Sequence, residues 1–115
     1  MNFSKNDELY QVSRITGPTH NLLRLGLQSG AGTPAVEVEE LPSFVPGAAA
    51  RLESEELIRH VLLGISEANA EFATHYRATK ISYVPDDTPV YDVYRLLARS
   101  IVSRIVKGED FHPLG

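Results

Sequence analysis

Between Leu22 and Leu27 the chain alternates, with Leu23, Leu25 and Leu27 on one side and Leu22, Arg24 and Gly26 on the other. A two-residue period marks a strand with one face buried. Leu9 to Ile15 alternates more loosely. The two runs are joined by Thr16-Gly17-Pro18-Thr19-His20-Asn21, a cluster of turn formers, and together they predict a hairpin. Gly26 thins its strand face, which points to a bulge or a close neighbour. After the connector Ser29 to Pro34, Val36 and Val38 alternate with Glu37 and Glu39, the pattern of a third strand wet on one face. Pro42 and Pro46 bracket Phe44 and predict an ordered loop over 41–47, its phenyl ring pinned to the core.

The period then becomes helical. Ile58, Val61, Leu62, Ile65, Asn69, Phe72 and Tyr76 recur at steps of three and four, predicting a helix from about Leu52 to Tyr76. Ser54 is its expected N-cap, with Glu55 and Glu56 set against the positive helix end. Gly64 interrupts it at a cost of about 1 kcal/mol relative to alanine, so another element is expected to approach there. Thr79 to Val84 is β-branched and aromatic and predicts a fourth strand. Pro85-Asp86-Asp87-Thr88-Pro89 stops it and starts a last helix, with Asp87 or Thr88 as cap. Val90, Val93, Tyr94, Leu97, Ile101 and Ile105 form its apolar stripe, and Gly108 ends it.

The predicted order is β-β-β-α-β-α. This is an α+β domain over residues 1–115, with one mainly antiparallel four-stranded sheet and two helices packed on one face. A length of 115 residues supports one core. Hydrophobic residues make up 43% of the chain, enough to form that core.

The absence of cysteine excludes disulfides, thiolate metal sites and cysteine nucleophiles. With no basic start followed by an apolar stretch, and no run near the ~20 apolar residues of a membrane span, a cytoplasmic protein is expected.

Net charge is −4, which argues against nonspecific attraction to nucleic acid or anionic membrane. The charge is lopsided. Residues 35–56 carry Glu37, Glu39, Glu40, Glu53, Glu55 and Glu56 against Arg51 alone, whereas residues 90–107 carry Arg95, Arg99, Arg104 and Lys107 against Asp92.

Catalytic motifs are weak. His60 and His75 lie fifteen residues apart on one predicted helix, about 22 Å at 1.5 Å per residue, and cannot share a metal. The Glu56/His60 and Glu71/His75 pairs have no third ligand, so no metal or other cofactor is expected. Gly64-Ile65-Ser66-Glu67-Ala68 echoes a nucleophile elbow but falls inside a helix. The glycine-rich 26–33 segment lacks the lysine of a phosphate loop. Asp86 and Asp87 are explained by capping.

An acidic protein-binding module without enzymatic activity is therefore expected, docking on a basic partner protein such as a toxin nuclease in the manner of an immunity protein or antitoxin. Its contact residues would be the six glutamates, with His20 and Asn21 at the hairpin turn and Tyr91 as an anchor at a helix edge. Two alternatives stand beside it. One is a ligand-binding domain or small enzyme in which Tyr10, His20, Tyr83, Asp87 and Tyr91 converge on a pocket. The other is a self-associating subunit, such as a homodimer, using Leu22, Leu63, Leu96 and Val102. Nucleic-acid binding through the four basic residues of 90–107 is the weakest reading, because no aromatic stacking surface accompanies them.

Overall fold

The computed structural model describes residues 1–16, 19–30, 35–43, 45, 47–88 and 90–114. Its elements are β1 (Asn2–Lys5), β2 (Tyr10–Thr16), β3 (Thr19–Ser29), β4 (Glu37–Glu40), α1 (Ser54–Phe72), β5 (Tyr76–Tyr83), α2 (Tyr91–Val106) and β6 (His112–Pro113). The α+β class stands. The sheet, however, has six strands rather than four, in the order β4-β5-β3-β2-β1-β6, and it is mixed.

The alternation in β2, β3 and β5 sets the register. Val12 pairs with Leu23, which pairs with Tyr83; Tyr10 pairs with Leu25, which pairs with Ile81. Directly opposed residues share a face, so these side chains form one apolar surface. The helices cover it, α2 over β3 and β2 and α1 over β5, while packing extensively on each other. Val12, Leu23, Leu25, Leu57, Val61, Ile81, Tyr94, Leu97, Ile101 and Val102 are all fully buried in the resulting core. Val102, expected off the stripe, belongs to it, because α2 packs on α1 as well as on the sheet.

The third predicted strand is parallel to its neighbour, not antiparallel: β4 pairs with β5 in the register Glu37↔Lys80 to Glu40↔Tyr83. A helix between two adjacent strands carries the chain back to the starting end, so the second strand runs parallel to the first. β1 and β6 escaped the sequence reading because they are four and two residues long, too short to show a period. Phe111 holds that edge, its ring edge-on to Phe3 and Tyr10 at centroid separations of 6.0 and 5.3 Å.

Several local expectations need correction. His20 and Asn21 are strand residues of β3, paired with Ile15 and Arg14. α1 ends at Phe72, so Tyr76 opens β5. Ala73 takes a left-handed conformation (φ 54°). Asn69 then clamps the helix end to the strand, accepting from the Tyr76 N–H and donating to its carbonyl at 3.0 and 2.8 Å. The N-cap of α1 is Glu53, without a side-chain cap bond, and that of α2 is Val90, which is exposed. Phe44 and Pro89 lie outside the described residues.

Both glycine expectations are met. A Cβ on Gly26 would lie 2.7 Å from Thr79 Oγ1, and the β3–β5 register shifts between Gly26 and Leu27. Gly64 faces the backbone carbonyl of Arg95 on α2.

Candidate functional site

β4 is an edge strand, and its three glutamates distribute over both faces of the sheet. Glu37 and Glu39 oppose Lys80 and Ser82 on the face away from the helices. The Lys80 ammonium sits 4.0 and 3.6 Å from their carboxylates, and the Ser82 hydroxyl reaches Glu39 at 3.3 Å. Glu40 shares the helix-side face with Tyr83, whose hydroxyl donates to it at 3.2 Å. The side chain of Ser54, the first residue of α1, lies near that hydroxyl and favours its ionised form. Burial and the neighbouring Glu40 charge push the Tyr83 hydroxyl above its ordinary value. One buried tyrosine therefore lies between the end of β4 and the start of α1.

At that start, Glu53 and Glu55 are exposed. Glu56 accepts from Arg59 at 2.9 Å, a contact that holds its carboxyl below the usual range. Tyr91 lies beside them: its hydroxyl accepts the Glu53 N–H at 2.9 Å, and its ring stacks on His60 at 5.6 Å. Glu40 thus lies on the same side of the sheet as the glutamates at the start of α1, whereas Glu37 and Glu39 lie on the opposite face beside Lys80. Arg59 offsets Glu56, so the six carboxylates do not form one continuous negative patch.

A second polar group lies where the β5–α2 turn meets the end of β3. Asp87 is fully buried. It accepts the Leu22 N–H at 2.9 Å, and its other oxygen lies 2.7 Å from Nδ1 of His20, whose side chain is 47% exposed. Beyond Tyr83 the β5 ladder stops, so Asp87 takes over as acceptor for a β3 amide. This is a strand-edge role rather than a helix cap. Burial pushes the Asp87 carboxyl above its ordinary range, against the opposing pull of the Leu22 amide and the His20 imidazole. Asn21, 4% exposed, donates to the Thr88 carbonyl at 2.9 Å and the Tyr94 hydroxyl at 3.1 Å. The sequence reading groups His20 with Asp87 in its pocket alternative but places Asn21 on an exposed turn and does not bring it to Tyr94, because that contact joins residues far apart in the chain.

His20, Tyr83, Asp87 and Tyr91 all lie toward this end of the sheet, whereas Tyr10 is at the other, against Phe111. Clefts lined by described residues lie elsewhere. One of about 270 Å³ is bordered by Phe3, Leu96, Arg99 and Arg104, and another of about 270 Å³ by Lys5, Tyr10, Ile105 and Phe111. Both are smaller than a usual small-molecule pocket.

The basic residues of α2 are tied internally. Arg95 grips Glu67 with Nε at 2.6 Å and with Nη2, Arg99 reaches Glu71 at 3.1 Å and Arg104 reaches Glu109 at 3.2 Å. Among the described residues no group of three acidic, histidine or cysteine side chains is placed to hold a metal ion, and no helix is long and apolar enough to cross a membrane. Compared with protein-family models, curated proteins and solved structures, the chain gives no significant match.

Proposed function

We propose that this chain is an acidic protein-binding module that docks on a basic partner through the surface formed by β4 and the start of α1. An inhibitor of the immunity or antitoxin kind, neutralising a basic toxin such as a nuclease, is the form of partner relationship that suits it. The supporting observation is the Tyr83 hydroxyl, which donates to Glu40 at the end of β4 and lies near Ser54 at the start of α1, so that two acidic segments meet there. Exposed carboxylates of one sign speed encounter with a basic protein and fix its orientation, contributing more to association rate than to affinity. Lys80 and Arg59 reduce the field, but among the described residues Glu40, Glu53 and Glu55 have no cation of their own in contact. Half-exposed His20 and the Tyr91 ring flank the surface as secondary contacts. Asn21, being buried, acts by holding His20's strand in place.

The test compares the wild-type chain with a variant carrying Glu40→Lys, Glu53→Lys and Glu55→Lys as baits in native lysate across a salt series. Basic proteins retained by the wild type, lost by the variant and released by salt are the expected result. Retention of only neutral or acidic proteins, or equal retention by both baits, overturns the reading.

A further inference from the structure

The way β4 is paired says how a partner would attach. Leu41 N–H donates to the Tyr83 carbonyl at 2.7 Å, so Leu41 turns its backbone toward β5. Along a strand the N–H and C=O of one residue point to one side and those of the next point to the other. Glu37 and Glu39 therefore share the orientation of Leu41, and the backbone groups of Val38 and Glu40 face outward. β4 ends the sheet order, so among the described residues these groups form a short unpaired ladder at its margin. Open margins of this kind accept an additional strand.

The side chains around the ladder define what kind of strand fits. Toward the helices, Val38 is 41% exposed although it opposes the fully buried Ile81. On α1, His60, Glu67 and Glu71 turn toward Asp92, Arg95 and Arg99 of α2. Leu62 is two residues from both His60 and Gly64, about 200° around a helix of 100° per residue, so it sits on the flank away from α2. Because α2 covers β3 and β2, that flank is the one beside β4. Leu62 is 40% exposed there. Away from the helices, the same margin presents Glu37 and Glu39.

We propose that the β4 margin accepts an extended segment of the basic partner as a seventh strand, with basic residues on the Glu37/Glu39 side alternating with apolar residues on the Val38/Leu62 side. This rests on the docking reading above and specifies its mode. The carboxylates also set selectivity. A second copy of this chain would bring β4 glutamates against β4 glutamates, and like charges across a strand pair are unfavourable. Glu37 and Glu39 share the single Lys80 ammonium, so an acidic or wholly apolar strand would leave two carboxylates against one cation. Only a basic strand completes both the ladder and the charge.

The probes are a short peptide of alternating lysine and valine and its counterpart N-methylated at the residues that would face β4. The methyl groups remove the ladder donors and leave the charge unchanged. The expected result is slowed amide exchange at Val38 and Glu40 with the first peptide, and binding about tenfold or more weaker with the second. Charge reversal by Glu37→Lys with Glu39→Lys weakens the first peptide to a similar degree, and circular dichroism confirms that this variant is folded. Equal binding of the two peptides, or binding without amide protection, overturns strand addition while leaving acidic docking in place. If neither peptide binds at low salt, strand addition also falls, and the docking reading is then judged by the bait comparison alone.

Discussion

The carbonyl oxygen of Arg95 on α2 occupies the space in which any residue but glycine at position 64 of α1 would carry its Cβ. The two helices run parallel, as the succession His60 to Asp92, Glu67 to Arg95 and Glu71 to Arg99 shows. Their backbones come close at this contact. Ala68 on α1 and Ala98 on α2, both fully buried, continue the small-residue seam.

Gly64→Ala therefore forces the helices apart even though alanine is the better helix former by about 1 kcal/mol. The net effect expected is a loss of about 2–3 kcal/mol, typical of an overfilled core and here set by an immobile backbone oxygen. Urea unfolding measures it, with the exposed Ser66→Ala as control. A Gly64→Ala variant as stable as Ser66→Ala would show that the helices separate at no cost.

Ala73 is the converse case. It closes α1 with φ 54°, where a Cβ is crowded, while its own N–H and that of Thr74 both bond the Asn69 carbonyl at the helix end. Ala73→Gly removes the crowding and leaves the hydrogen bonds intact. A gain of about 0.5–1 kcal/mol is expected after the extra chain entropy of glycine is deducted, or roughly 3–6 °C in the thermal midpoint. An unchanged or lower midpoint would mean that the left-handed turn is unstrained.

These two positions show what the sequence could and could not reveal. Gly64 was legible because a glycine inside a strong helical period needs a reason. The α1 stripe was legible only in part. Leu57 and Ala68 are fully buried and Leu62 is not, because the helix packs against two neighbours and its small residues face α2. The β2–β3 hairpin and β5 followed from their own alternation. The strands β1 and β6 on one side of the sheet did not, since a strand of two to four residues is defined by its partner rather than by a pattern. Asp87 was misplaced for a related reason. A carboxylate before a helix reads as a cap, but here the β3 amide of Leu22, distant in sequence, claims it.

Tyr94 offers a direct measure of the buried polar cluster. Its hydroxyl accepts from Asn21 at 3.1 Å in a fully buried setting, where burial pushes it well above the ordinary tyrosine value. Tyr94→Phe keeps the ring and strips Asn21 of one acceptor, leaving only the Thr88 carbonyl. A loss of about 1–2 kcal/mol is expected, the usual cost of orphaning a buried donor. Tyr91→Phe loses a bond to the Glu53 amide at an exposed site and should cost less. Equal losses for the two variants would mean that burial adds nothing to the Asn21–Tyr94 bond.

Asp87 should give the fold a pH dependence of a definite sign. Its carboxyl is raised in the folded state by burial, so between the ordinary value of about 3.9 and the raised one the native chain holds more protons than the unfolded chain. The contribution of this group to stability is therefore fullest at acid pH below that window and is lost as pH rises through it. Asp87→Asn keeps an acceptor for the Leu22 N–H but has no charge to bury. The stability difference between variant and wild type should accordingly move in favour of the variant, with its uncharged side chain, as pH climbs from about 4 through the raised value, and then level off. Urea midpoints of both proteins across that range measure the difference. A difference independent of pH, or one that moves in favour of the wild type as pH rises, would show that the contacts from Leu22 and His20 fully compensate the buried charge.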